Sequence, residues 1–295
     1  MMKKLSTAAA SALFAATTFF ASATQADVIK VGGKNFTEQL LITQITTDLL
    51  EANGYDVDKL EGMGTSVVRA ALENGQVDIY WEYTGTSLVT FNKIETKMNA
   101  EETYATVKDL DAKLGITWLD PSRANSTYAL AVRRSDDKGL SSFSDMAAAY
   151  NAGEKLKLGV NAEFPKRPDG LPGLEETYGF DMKRSNLASM QTGLIYDALK
   201  TENLDIGLVF ALDGRIEAFD FKVLEDDKGF FPSYALTPNI RTELLEADPK
   251  IGELLNSVSA IMTDDIMRGL NAMVDVDKKT IEEVSQTFLK NQGLI

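Results

Sequence analysis

The run Asp78-Ile-Tyr-Trp-Glu-Tyr-Thr-Gly-Thr86 places Tyr80, Trp81 and Tyr83 within four positions at the end of an apolar, strand-like stretch. Rings at a strand end can wall a pocket, and the negative face of a π system attracts a permanently charged, weakly hydrated cation. Strand alternation sends Tyr80 to one face and Trp81 and Tyr83 to the other, so the three rings cannot all serve one pocket. Three further clusters could do chemistry. Gly32-Gly33-Lys34-Asn35-Phe36-Thr37 leads from a β-rich run into a helix, where backbone amides and the Lys34 ammonium suit an anion. It is not a P-loop, because the GxxxxGK[ST] spacing is absent. Gly64-Thr65-Ser66 reads as a helix start with a capping candidate. The stretch from Glu163 to Gly173 holds three prolines and two glycines, a stiff loop whose Arg167 can grip a carboxylate with two parallel hydrogen bonds.

Hydrolytic chemistry finds little support. Glu82, Glu163, Asp205 and Asp213 could form a glycosidase-type pair, but among 44 acidic residues nothing in their spacing singles out two. The chain has neither histidine nor cysteine. That removes Cys/His dyads, the Ser-His-Asp triad and the ordinary zinc sets, along with disulfides and a lipid-carrying cysteine. The sequence therefore points to a binding protein and calls for no metal and no cofactor.

The elements that must position these clusters alternate. Strand-like runs at 28–31, 57–60 and 77–81 enclose helices from Thr37 to before Gly54 and from Val67 to Asn74. This β-α-β-α-β order predicts a parallel sheet covered by helices. A second α/β block follows the strand Tyr128–Val132, with strands at 156–160, 205–209 and 221–224. Helices beyond Arg241 close the chain, and with no strand to complete a third sheet they are expected to pack on the first block. Two blocks predict two lobes with crossings near 127–133 and 234–240, and a cleft at strand carboxyl ends.

Residues 1–26 read as a cleavable export signal: Lys3 and Lys4, an apolar stretch from Ala8 to Phe20, then small residues. That apolar stretch is shorter than the roughly 20 residues a membrane span needs. The formal charge is −14, and removing Lys3 and Lys4 makes it −16. Such acidity argues against nucleic acid or an anionic membrane surface as partner. A periplasmic chain with no lipid anchor is the expectation.

Taken together and in order, the clusters resemble the substrate-binding proteins of ABC importers for osmoprotectants: glycine betaine, proline betaine, carnitine and choline. The matching pieces are VGGKNFTEQ, GTSVVRAALENGQVDIYWEYTGTSL, AEFPKRPDGLPGLEETYGF and DIGLVFALDGRIEAFDFKVLEDDKGFFPSYALTPNIR, and they span essentially the whole exported chain. The resemblance implies an α/β, two-lobed periplasmic binding protein fold of type II, with two crossover strands and a ligand cleft between lobes that closes by hinge motion. The lobes would be 27–130 plus 238–295, and 131–237. It further implies an aromatic cage for a quaternary ammonium made by Tyr83, Tyr128, Tyr234 and Phe210, the last where similar proteins often carry tyrosine. A carboxylate clamp would come from Lys34, Thr86 and Arg167. The implied partners are a small quaternary-ammonium solute, most fittingly glycine betaine or a related betaine, and the membrane permease of an ABC importer, with the chain acting as a monomer. A choline-binding protein of the same fold is the alternative. A periplasmic sensor is the weaker one, since no signalling domain is fused to the chain.

Overall fold

The computed structural model describes residues 28–295; the expected export signal at 1–26 lies outside the described residues. Ten strands form two five-stranded sheets. The first contains β1 (Ile29–Lys34), β2 (Val57–Met63), β3 (Ile79–Tyr83), β4 (Ile116–Trp118) and β10 (Leu236–Arg241) in the order β2-β1-β3-β10-β4. The second contains β5 (Tyr128–Arg133), β6 (Leu158–Val160), β7 (Leu187–Ser189), β8 (Ile206–Phe210) and β9 (Phe221–Val223) in the order β7-β6-β8-β5-β9.

The two sheets repeat one plan. Each has a parallel core of three strands, β2-β1-β3 or β7-β6-β8. Each is then extended by one antiparallel strand, β10 beside β3 or β5 beside β8, and a short edge strand. The expected parallel sheet is thus a mixed one. Sequential alternation identifies strands joined by helices, whereas β5 and β10 arrive from the far side of the chain and pair without a crossover helix. The three-residue strands β4 and β7 are too short to carry a period of their own.

Helix α1 (Thr37–Ala52) shows why its polar residues are misleading. Leu41, Ile42, Ile45 and Leu49 are buried, but so are Thr43, Thr46 and Thr47. The sheet covers one flank of α1, and the carboxyl-terminal helices Asp264–Asp275 and Ile281–Asn291 cover another. The hydroxyls of Thr46 and Thr47 donate to the carbonyls of Ile42 and Thr43, 2.8 and 3.0 Å away, which lets them sit inside. Ser285 donates to Asp48 at 2.6 Å and ties the last helix to α1. Helix α2 (Thr65–Glu73) packs on the first sheet through Val68, Ala71 and Leu72. Among the described residues no helix is long and apolar enough to cross a membrane.

Candidate ligand-binding site

The parallel strands of both sheets aim their carboxyl ends at one cavity of about 220 Å³. Lys34 closes β1, Tyr83 closes β3 and Phe210 closes β8, while Tyr128 opens β5. All seven residues singled out in the sequence, Lys34, Tyr83, Thr86, Tyr128, Arg167, Phe210 and Tyr234, line this cavity.

Register sets the aromatic wall. Tyr128 lies directly opposite Phe210 in the β5–β8 pair, so their rings stack at 5.4 Å. Phe36, the residue before α1, adds a ring that the sequence reading had not separated from its motif. It stacks on Phe210 at 4.9 Å and on Tyr83 at 6.4 Å. Tyr234 meets Tyr128 edge-on at 5.8 Å. The rings therefore run as a continuous series: Tyr83, Phe36, Phe210, Tyr128, Tyr234. Tyr80 and Trp81 are fully buried and border no part of the cavity; they pack the strand that carries Tyr83. Alternation holds, because Tyr80 and Tyr83 fall in different core clusters.

The phenol groups are committed to the framework, which fixes the rings. Tyr83 donates to Glu38 at 2.6 Å and accepts from Gln39 at 3.1 Å, and Tyr234 donates to Asp169 at 2.6 Å. Burial, reinforced by neighbouring carboxylates, pushes the Tyr83 and Tyr234 phenols well above 10. Burial also raises Tyr128. Glycine at position 85 is required by close approach: a Cβ there would lie 2.7 Å from the Ser233 carbonyl oxygen and 3.0 Å from the Tyr234 ring. After β3 the chain does not simply turn but coils through Thr84–Thr86 into a π-helical turn, Ser87–Phe91, which carries Thr86 back over the cavity.

Each basic group has a carboxylate partner. Lys34 Nζ lies 2.5 Å from Glu82 Oε1, with both side chains buried. Arg167 makes a two-pronged pair with Asp169, its Nε donating at 2.8 Å, and reaches Thr86 Oγ1 at 3.4 Å. The cations also lie against these rings: Lys34 Nζ is 4.8 Å from the Tyr83 ring centre and Arg167 Cζ 5.4 Å from that of Tyr128. Burial drags the Lys34 ammonium below 10.5 despite Glu82. Burial also opposes the charge on Arg167, but Tyr128 and Asp169 outweigh it and hold its pKa above the ordinary arginine value. Glu38, which accepts from Tyr83 and from Ser126 at 2.9 Å, is raised by burial.

Sequence reasoning had not assigned Glu82, Asp169 or Glu38 their places. The signal for Asp169 was present in Arg-Pro-Asp, where a carboxylate two residues from a rigidly held guanidinium can fold back on it. The four acids considered as a hydrolytic pair are separately engaged: Glu82 with Lys34, Asp213 with Arg215, Asp205 with the Lys157 amide, and Glu163 with the Thr65 amide. Among the described residues, no cluster of three acidic side chains could hold a metal ion.

Comparison with known proteins places the chain in a family. The family described as the substrate-binding domain of ABC-type glycine betaine transport systems matches residues 27–291. A glycine-betaine-binding protein of Pseudomonas aeruginosa is 39% identical over 285 residues, covering 94% of this chain and 92% of the relative. The glycine betaine-binding protein YehZ of Escherichia coli is 33% identical, covering 91% of this chain and 92% of its own. Among solved structures, a glycine betaine/carnitine/choline ABC transporter protein superimposes with a TM-score of 0.70 at 31% identity, covering 90% of this chain and 99% of that one.

Proposed function

We infer the function from one premise: the chain belongs to the family of substrate-binding domains of ABC-type glycine betaine transport systems. It is the solute-binding component of an ABC importer and captures a quaternary-ammonium osmoprotectant, glycine betaine or a related betaine, for a membrane permease. The observation that carries this reading is the single cavity in which a series of rings meets two buried cations. A trimethylammonium offers no conventional hydrogen-bond donor, so ring faces replace its lost hydration, each contributing about 0.5–2 kcal/mol. The solute's carboxylate meets Lys34, Thr86 and Arg167. Lobes 27–130 plus 238–295 and 131–237 close on it as a hinge, and closure is favoured because the rings and cations come from both sheets. The protein works as a periplasmic monomer, without nucleic acid, enzymatic activity or a lipid anchor.

Choline is the second reading, and a specific observation favours it: Glu82 and Asp169 already neutralise both cations, so a solute without a carboxylate leaves no buried charge unpaired. Calorimetric titration of ligand-free protein with glycine betaine, proline betaine, carnitine and choline tests both. A betaine should bind with micromolar affinity, about 8 kcal/mol. Preference for choline over every betaine would select the second reading, and folded protein that binds none of the four would overturn both.

A further inference from the structure

Helix α2 starts at Thr65 behind Gly64, which has no side chain to cap it. A helix amino terminus exposes unpaired amides and a partial positive charge, and it normally takes an oxygen from its own N-cap residue. Here the first amide, Thr65 N, donates across the chain to Glu163 Oε1 at 3.0 Å. Glu163 belongs to the loop after β6 in the second sheet, whereas α2 packs on the first. Its position is set locally: the Asn161 side-chain oxygen accepts from the amides of Glu163 and Phe164 at 3.2 and 2.8 Å, fixing a tight turn. Glu163 takes part in none of the ion pairs among the described residues, and both Glu163 and Thr65 border the cavity.

We propose that Glu163 is a closure residue: its carboxylate caps α2 of the opposite lobe when the lobes meet, and so slows release of the bound solute. This rests on the hinge-closing reading above. Glu163 acts as a positioning residue, holding the second lobe, with Arg167 and Phe210, against the first, with Tyr83 and Lys34. In the open form the α2 terminus is left to water, so the cap contributes only to the closed state and its loss falls on the dissociation rate.

The chain lacks cysteine, so cysteines introduced at the exposed positions Lys113 and Lys155 give one clean label pair spanning the two sheets. Glu163→Ala should release glycine betaine and choline about three- to thirtyfold faster, the range expected of a cap, with association changed less than twofold. Interlobe distances in the liganded state should shift toward wider separations. Gly64→Ser offers a second arm that leaves Glu163 in place. At φ −71° a side chain is unstrained, and its Cβ would make ordinary contact with Glu163 at 3.6 Å. The new hydroxyl accepts from the Ser66 or Val67 amide within its own lobe, weakens the positive field that Glu163 meets at Thr65, and should speed release to a smaller degree. Unchanged release and distances in both variants would overturn the proposal. If the wild-type chain binds no solute, the functional reading fails separately. The cap is then judged on the closed fraction in the unliganded distance distribution, which Glu163→Ala must reduce.

Discussion

Lys34 and Arg167 reach the same cavity from opposite sheets, and the two are held differently. Lys34 is a point charge on the end of β1, matched by one oxygen of Glu82 on the neighbouring strand β3. Arg167 sits on a proline-braced loop and engages both oxygens of Asp169, which in turn accepts from Tyr234. A planar guanidinium keeps its charge when buried, while an ammonium stripped of water gives up its proton more readily. The pKa directions follow: down for Lys34, up for Arg167. One lobe thus presents a titratable cation and the other a permanent one. Arg167 should carry most of the carboxylate recognition, and Lys34 should tune it.

Removing Arg167 is the most damaging single change expected at this site. Arg167→Ala leaves Asp169 buried without its cation, and truncating one partner of a buried pair costs about 3–5 kcal/mol. Thermal or denaturant unfolding should register that loss. Titration of the surviving folded fraction should show glycine betaine weakened far more than choline. Equal losses for the two solutes would show that the carboxylate lies elsewhere. Tyr83→Ala comes next. It removes the ring that joins Phe36 to Lys34 and should abolish measurable binding of both solutes. Tyr83→Phe keeps the ring but leaves Glu38 short of a donor, for about 1–3 kcal/mol of stability.

Lys34 is set apart from Arg167 by its response to pH. The folded chain disfavours charged Lys34, so this group costs stability at neutral pH, and that cost disappears as pH rises toward the ordinary value of 10.5. Binding runs the other way. A ligand carboxylate favours the protonated amine, so betaine affinity should fall as pH climbs through the lowered Lys34 value. Choline, with no carboxylate, should show a flat profile. Arg167 remains charged, and the Tyr83 and Tyr234 phenols remain neutral, throughout that window. Parallel slopes for the two solutes in calorimetry would dissociate Lys34 from the clamp.

Much of this site was legible in the sequence because it lies where strands end. Lys34 and Tyr83 are the last residues of β1 and β3, and a strand end is visible as the point where an apolar run meets glycine or charge; Phe210, the last residue of β8, was reached only through the family resemblance. The pairing of β5 and β10 was not legible, since long-range antiparallel partners leave no local period. Nor were Glu82 and Asp169 as counter-ions: a buried carboxylate resembles a surface one until its neighbour is known. Phe36 was hidden for another reason. It sits in a motif read for its glycines and lysine, and its stacking on Phe210 joins the two sheets.

Phe210 gives the smallest and finest test of the cage. Its ring lies between Phe36 at 4.9 Å and Tyr128 at 5.4 Å, so the series of rings is already continuous without a phenol oxygen there. Phe210→Tyr leaves the π face in place and adds electron density and a hydroxyl. A single improved contact is worth a fraction of the 0.5–2 kcal/mol range, so affinity for both solutes should rise about two- to fivefold. Because the change acts on the cation alone, glycine betaine and choline should gain equally, unlike the divergence expected of Arg167→Ala. A gain confined to the betaine would mean that the new hydroxyl reaches the carboxylate. The proposed cage and clamp would then overlap on the second-sheet side, much as Lys34 lies over the Tyr83 ring on the first.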